Sequence, residues 1–118
     1  MPTCFVTLSE DIDSLAPEVE QQIRAAVARG LDSRARRLDY SHVVLRELRG
    51  RRASMLGDVE IEVFAHLFLP RFFSRDKRAK QIAAECTQLL EKDCACWINL
   101  GIVGYARVTI DGSTFFSD

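Results

Sequence analysis

The chain has 118 residues, 47% hydrophobic and 28% charged, with 16 basic against 17 acidic side chains. This is one domain's length with enough apolar material for a core, so a disordered chain and a global electrostatic case for nucleic acid are both set aside. No apolar run reaches 18 residues, and the first twenty carry Glu10, Asp11, Asp13 and Glu18 without a basic n-region, so no membrane span and no export signal are expected and a cytoplasmic protein is.

In chain order, Thr3 to Ser9 alternates and is β-rich, which predicts a strand. Pro17 opens a helix at its first turn, where a missing N–H costs little, and Val19, Ile23, Ala26, Val27 and Leu31 repeat at helical spacing. Gly30 is expected to close that helix. Residues 32–41 read as a polar connection, His42 to Leu48 as a strand and Gly50 to Gly57 as a turn-rich crossing. Val59 to Leu69 reads as one long strand. Ser74 is placed to cap a second helix, whose apolar stripe is Ala79, Ile82, Ala83, Cys86, Leu89 and Leu90. Trp97 to Val103 reads as the last main strand, followed from Gly104 by a short extended tail with a turn at Asp111-Gly112.

The order strand, helix, strand occurs twice. Two pseudo-repeated halves, about 1–58 and 59–118, align without gaps at an offset of 59, pairing Phe5/Phe64, Leu8/Leu67, Gln22/Gln81, Ile23/Ile82, Ala25/Ala84 and Leu31/Leu90. The expectation is a single α/β domain spanning 1–118, in which two β-α-β units form a four-stranded sheet with two helices on one face. The other sheet face then lacks cover, which favours an oligomer.

Basic residues are lopsided, with 13 Arg to 3 Lys, a bias compatible with an acidic small-molecule ligand. Cys4, Cys86, Cys94 and Cys96 show no zinc-ligand spacing, and reduced thiols are expected. Glu60 and Glu62 point to one strand face and read first as solvent-facing alternation, with acid–base work as the sharper alternative. P-loop, dinucleotide and nucleophile-elbow patterns are missing from the sequence. Pro2 follows the initiator Met directly. Removal of Met1 leaves a secondary amine at the head of a strand; such amines titrate near ~7.7–8.0, and burial or nearby Arg lowers that value. A neutral amine at that position is a competent general base.

Met1-Pro2 running into a strand, Ser74-Arg75-Asp76-Lys77 opening a helix, and the stretch Trp97 to Phe115 together resemble the tautomerase superfamily. The resemblance implies a cofactor-independent keto–enol tautomerase or isomerase of a small 2-oxo or enol carboxylic acid. It implies Pro2 as the catalytic base and a homotrimer, and chemistry that needs no metal or other cofactor; the charge balance and the missing apolar run imply no nucleic-acid or membrane partner. It further implies that substrate is bound by Asn99, Trp97, His42, Phe68, Ile110 and Phe115. The lysine that cytokine-like members carry after the first helix is missing; Arg34 is nearest to its place. Alternatives on the same fold are a hydratase, dehalogenase or decarboxylase of unsaturated acids, which needs one further carboxylate, or a non-enzymatic trimeric binding or signalling module. A ferredoxin-like ligand-binding domain is the generic third reading.

Overall fold

The structure is a computed structural model that describes residues 2–33, 37–66 and 69–116. Strand β1 (Thr3–Ser9) leads to helix α1 (Pro17–Leu31), and β2 (Val44–Gly50) follows a one-turn 3-10 helix at Tyr40–His42. Strand β3 (Val59–Phe64) is followed by the short helix α2 (Leu69–Phe73) and then α3 (Arg75–Leu90). Strands β4 (Cys94–Asn99), β5 (Val103–Val108) and β6 (Thr114–Phe116) complete the chain.

The sheet order is β2-β1-β3-β4-β5-β6. β1 pairs with β2 and β3 with β4 in parallel; the β1–β3, β4–β5 and β5–β6 pairs are antiparallel. The expected four-stranded sheet with two helices is therefore corrected, among the described residues, to a six-stranded mixed sheet with three α-helices. The extra strands come mainly from the segment read as a tail from Gly104: the strand read as Trp97 to Val103 is instead Cys94–Asn99, Val103–Val108 folds back on it, and β6 folds back on β5 after the turn at Asp111-Gly112. The extra helix comes from the run Val59 to Leu69, which leaves the sheet after Phe64 and turns helical at Leu69, with Pro70 tolerated in the first turn. The ferredoxin-like reading is also set aside, because that fold splits its β-α-β units with an intervening strand, whereas β1 and β2 are direct neighbours.

Alternation gives the sheet two unlike faces. Cys4, Val6 and Leu8 of β1, Val59, Ile61 and Val63 of β3, and Cys94, Cys96 and Ile98 of β4 are fully buried. They form one core with Ile23, Val27 and Leu31 of α1 and Ala79, Ile82, Ala83 and Cys86 of α3. Burial holds the thiols protonated: Cys4 and Cys94 are each pushed up to about 12, and Cys86 and Cys96 are raised well above the usual thiol value.

Two glycines set how closely these layers approach. α1 does not stop at Gly30 but continues to Leu31. A Cβ on Gly30 would lie 2.3 Å from Cγ1 of the buried Ile82, so glycine is where α1 and α3 meet rather than where α1 ends. Gly104 of β5 presses on the start of α3, where an added Cβ would lie 2.7 Å from Arg75 Cγ and 2.9 Å from the Arg75 backbone carbon. Gly104→Ala is therefore expected to destabilise the protein by about 1–2 kcal/mol, the overpacking cost exceeding the backbone-entropy gain of replacing a strand glycine. A thermal melt should show a loss of roughly 5 °C; an unchanged or raised melting temperature would contradict this packing.

The end of α1 is capped from across the fold. Arg78 Nη1 donates to the Gly30 and Asp32 carbonyls, both at 2.9 Å, and the buried Arg71 donates from Nε to the Leu31 carbonyl at 3.2 Å. These carbonyls have no intrahelical partner, and cations near a helix C-terminus are favourable. Part of the arginine bias is thus structural. Among the described residues, no helix is long and apolar enough to cross a membrane.

Candidate functional site

β1, β2 and β5 run in one sense and β3 and β4 in the other, and the register puts Val44, Thr3, Phe64, Asn99 and Val103 in one row across the sheet. Pro2 stands just beyond that row. It is buried, and its carbonyl accepts a hydrogen bond from Val44 N at 2.9 Å. His42 precedes β2 at the same end, in the 3-10 turn rather than in a strand. Its Nδ1 accepts from Asp39 N at 3.0 Å, while the Asp39 carboxylate accepts from Ser41 N at 2.8 Å. The Ser41 side chain and backbone hold Asp39 below its ordinary carboxylate value. Over the same turn, the Arg24 guanidinium lies 5.7 Å from the centre of the Tyr40 ring, and its charge opposes the upward shift of Cys4. Sequence reading passed over Arg24, which is an unremarked polar position within the α1 pattern.

Trp97 and Asn99 share the open face of β4. They line a groove of about 250 Å³ together with Glu60, Glu62 and Val103. Trp97 stacks on Tyr105 with ring centres 4.9 Å apart and planes tilted by 38°. Tyr105 is largely buried, which raises its phenol above the ordinary value. Glu60 accepts a hydrogen bond from Leu56 N at 2.6 Å. Glu62 is exposed, lies between Phe5 and Trp97 in the sheet register, and has no hydrogen-bond or ion-pair partner among the described residues. The alternation of Glu60 and Glu62 was legible; their shared groove with Trp97 and Asn99 was not, because cross-strand register is not written in either segment.

The candidate residues thus fall into three places. Pro2 and His42 stand at the β1–β2 side of one sheet end. Asn99 stands at the same end but two strands from β1, about 10 Å by strand spacing, with Trp97 two residues behind it on β4. Ile110 and Phe115 are exposed at 64% and 53% and lie toward the opposite end: Phe115 pairs with Arg107, four residues along β5 and about 13 Å from that row, and Ile110 lies beyond the end of β5. The Ile110 amide donates to Asp93 Oδ1 at 3.0 Å, and Phe115 faces the Arg107 guanidinium at 6.0 Å. Arg34 and Phe68 lie outside the described residues, as do Met1 and Leu67. Within a single chain, Pro2 does not meet Asn99, Ile110 or Phe115. Compared with known proteins, the chain matches no family model, no curated protein and no solved structure.

Proposed function

We propose that the chain is a cofactor-independent keto–enol tautomerase or isomerase of a small 2-oxo or enol carboxylic acid, with Pro2 as the base. The observation that carries the reading is the position of Pro2: a buried proline heading the strand where the two parallel β-α-β pairs meet. With a free amine there, the Pro2 nitrogen takes the enol hydroxyl proton, and the resulting ammonium delivers a proton to the carbon as the carbonyl forms. One proton is taken and one returned, so neither oxidant nor cofactor enters. The negative oxygen formed on the way needs a donor, and the Asn99 amide supplies one. Because Asn99 stands two strands from β1 in its own chain, the reading has a neighbouring copy bring Asn99 to Pro2, in a homotrimer built over the open sheet face. Glu60 and Glu62 beside Asn99 repel a second carboxylate, which favours monocarboxylic over dicarboxylic substrates. The four buried free thiols suit a reducing compartment, and the reading is cytoplasmic.

One observation favours the runner-up, a hydratase, dehalogenase or decarboxylase of unsaturated acids. That chemistry needs an extra carboxylate to activate water, and Glu62 is an unpaired carboxylate in the groove of Trp97 and Asn99.

Ketonisation of phenylenolpyruvate by protein whose mass shows Pro2 at the terminus tests the reading. Turnover above the uncatalysed rate supports it. Absence of turnover by a correctly processed trimer moves the weight to a binding module, and a solution mass near one chain at micromolar concentration removes the trimer.

A further inference from the structure

The open face of the sheet carries an acidic groove with an aromatic wall, and this combination has its own chemistry. Glu62 lies one strand from Trp97, and Glu60 one strand from Ala95, so both carboxylates stand on the β3 side of the indole, opposite Tyr105 on β5. The indole is backed by Tyr105 and is partly accessible. Asn99 and Val103 close the groove toward the row of Thr3.

Among the described strand residues, the cations facing this side are Arg46 on β2 and Arg107 on β5. Arg107 is turned toward Asp93, 3.7 Å away, and lies over Phe115. Arg46 is separated from Glu62 by Phe5 and makes no ion pair among the described residues. Neither neutralises Glu62 by direct contact. The groove therefore combines an unpaired carboxylate, a second carboxylate with one oxygen engaged, a side-chain amide and the edge or face of an indole.

We propose that this groove binds the guanidinium head group of a small molecule. A planar guanidinium can fork onto the Glu62 carboxylate and at the same time lie against Trp97, which a compact, strongly hydrated ammonium does less well. A volume of about 250 Å³ accommodates a head group with a short chain rather than a large ligand. The groove is the one whose Asn99 the proposed function brings to a neighbouring Pro2, but the proposal is read by binding rather than by proton transfer, so its failure and the failure of that reading are distinguishable.

Trp97 is the single tryptophan of the chain, so its emission reports on the groove directly. The experiment titrates the full chain with ethylguanidinium chloride at constant ionic strength, with ethylammonium chloride and sodium propionate as parallel arms. The expected result is a saturable change in Trp97 emission with ethylguanidinium, at least threefold weaker binding of ethylammonium, and none of propionate. Glu62→Gln, at an exposed position, should keep the circular dichroism spectrum and weaken ethylguanidinium binding about tenfold, the scale of one charge-assisted hydrogen bond. A change that does not saturate, an undiminished response in Glu62→Gln, or ethylammonium or propionate binding as tightly as ethylguanidinium would each overturn the proposal. Binding of an arginine-containing peptide without any response to ethylguanidinium would overturn it as a small-molecule site.

Discussion

The protein is expected to unfold in mild alkali, within about two pH units above 9. All four cysteines are free and buried, and burial is the first cause of each raised thiol value. In the unfolded chain these thiols ionise near the ordinary value of 9.0, whereas Cys4 and Cys94 wait until about 12. The sign follows from proton counting. Above pH 9 the unfolded state binds fewer protons than the native state, so stability falls as pH rises. Below pH 9 both states hold their thiol protons and the full stability is present. Each thiol withdraws roughly 1 kcal/mol per pH unit in that window, and the four together about 4 kcal/mol per pH unit. Against a typical total of about 5–15 kcal/mol this decides the outcome. Circular dichroism against pH in reductant reads the transition. Cys96→Ala should lower the slope of stability with pH by about a quarter, whatever its cost at neutral pH through the cavity it leaves. A slope unaffected by Cys96→Ala, or stability flat to pH 11, would contradict the burial of the thiols.

The second large effect concerns Pro2. On the proposed mechanism, Pro2→Ala should lower ketonisation by about a hundred- to ten-thousand-fold, the range a positioned general base contributes. Alanine at the terminus retains a primary amine, so a residual rate would come from that amine in a less constrained geometry. The carbonyl of residue 2 still accepts from Val44 N, so the melting temperature serves as the control for folding. Activity of the unsubstituted protein should rise with pH as the amine loses its proton, because only the neutral form is a base. A rate equal in Pro2→Ala and the unsubstituted protein would remove Pro2 from the chemistry and leave the groove of Trp97 and Asn99 as the remaining candidate site.

Helices were the most legible part of the sequence. Pro17 and the spacing of Ile23, Val27 and Leu31 located α1, and Ile82, Ala83 and Cys86 located the buried face of α3, because helical periodicity is local. The gapless offset of 59 holds for these helices and fails for the strands. It lays β2 on β5 rather than on its structural counterpart β4, since the connection 32–43 is long and the connection 91–93 is short. Phe64 to Leu69 misled because an apolar run fits a buried strand and a buried helix equally well. Ser74 stands at the N-cap of α3 as expected, yet its hydroxyl donates to the Pro70 carbonyl at 2.5 Å and accepts from Arg78 Nε at 2.8 Å rather than capping the helix backbone. For the candidate site, the strands of Glu60, Glu62, Trp97 and Asn99 could be read locally, whereas His42, read as the start of a strand, lies in a 3-10 turn. A residue's neighbours depend on strand order and register, which is why Glu62 was seen without Trp97 and Asn99 was placed beside Pro2.

The central claim is that an unblocked Pro2 performs the proton transfer, and one comparison tests it most directly. Protein retaining Met1 and protein ending in Pro2 differ by one residue and by whether the Pro2 nitrogen is an amide or an amine. Their rates of phenylenolpyruvate ketonisation should be measured side by side, with intact mass confirming each form. The account requires catalysis by the Pro2-terminated form and a rate near the uncatalysed one for the Met1-bearing form. Equal rates for the two forms, or no catalysis by either, would contradict it.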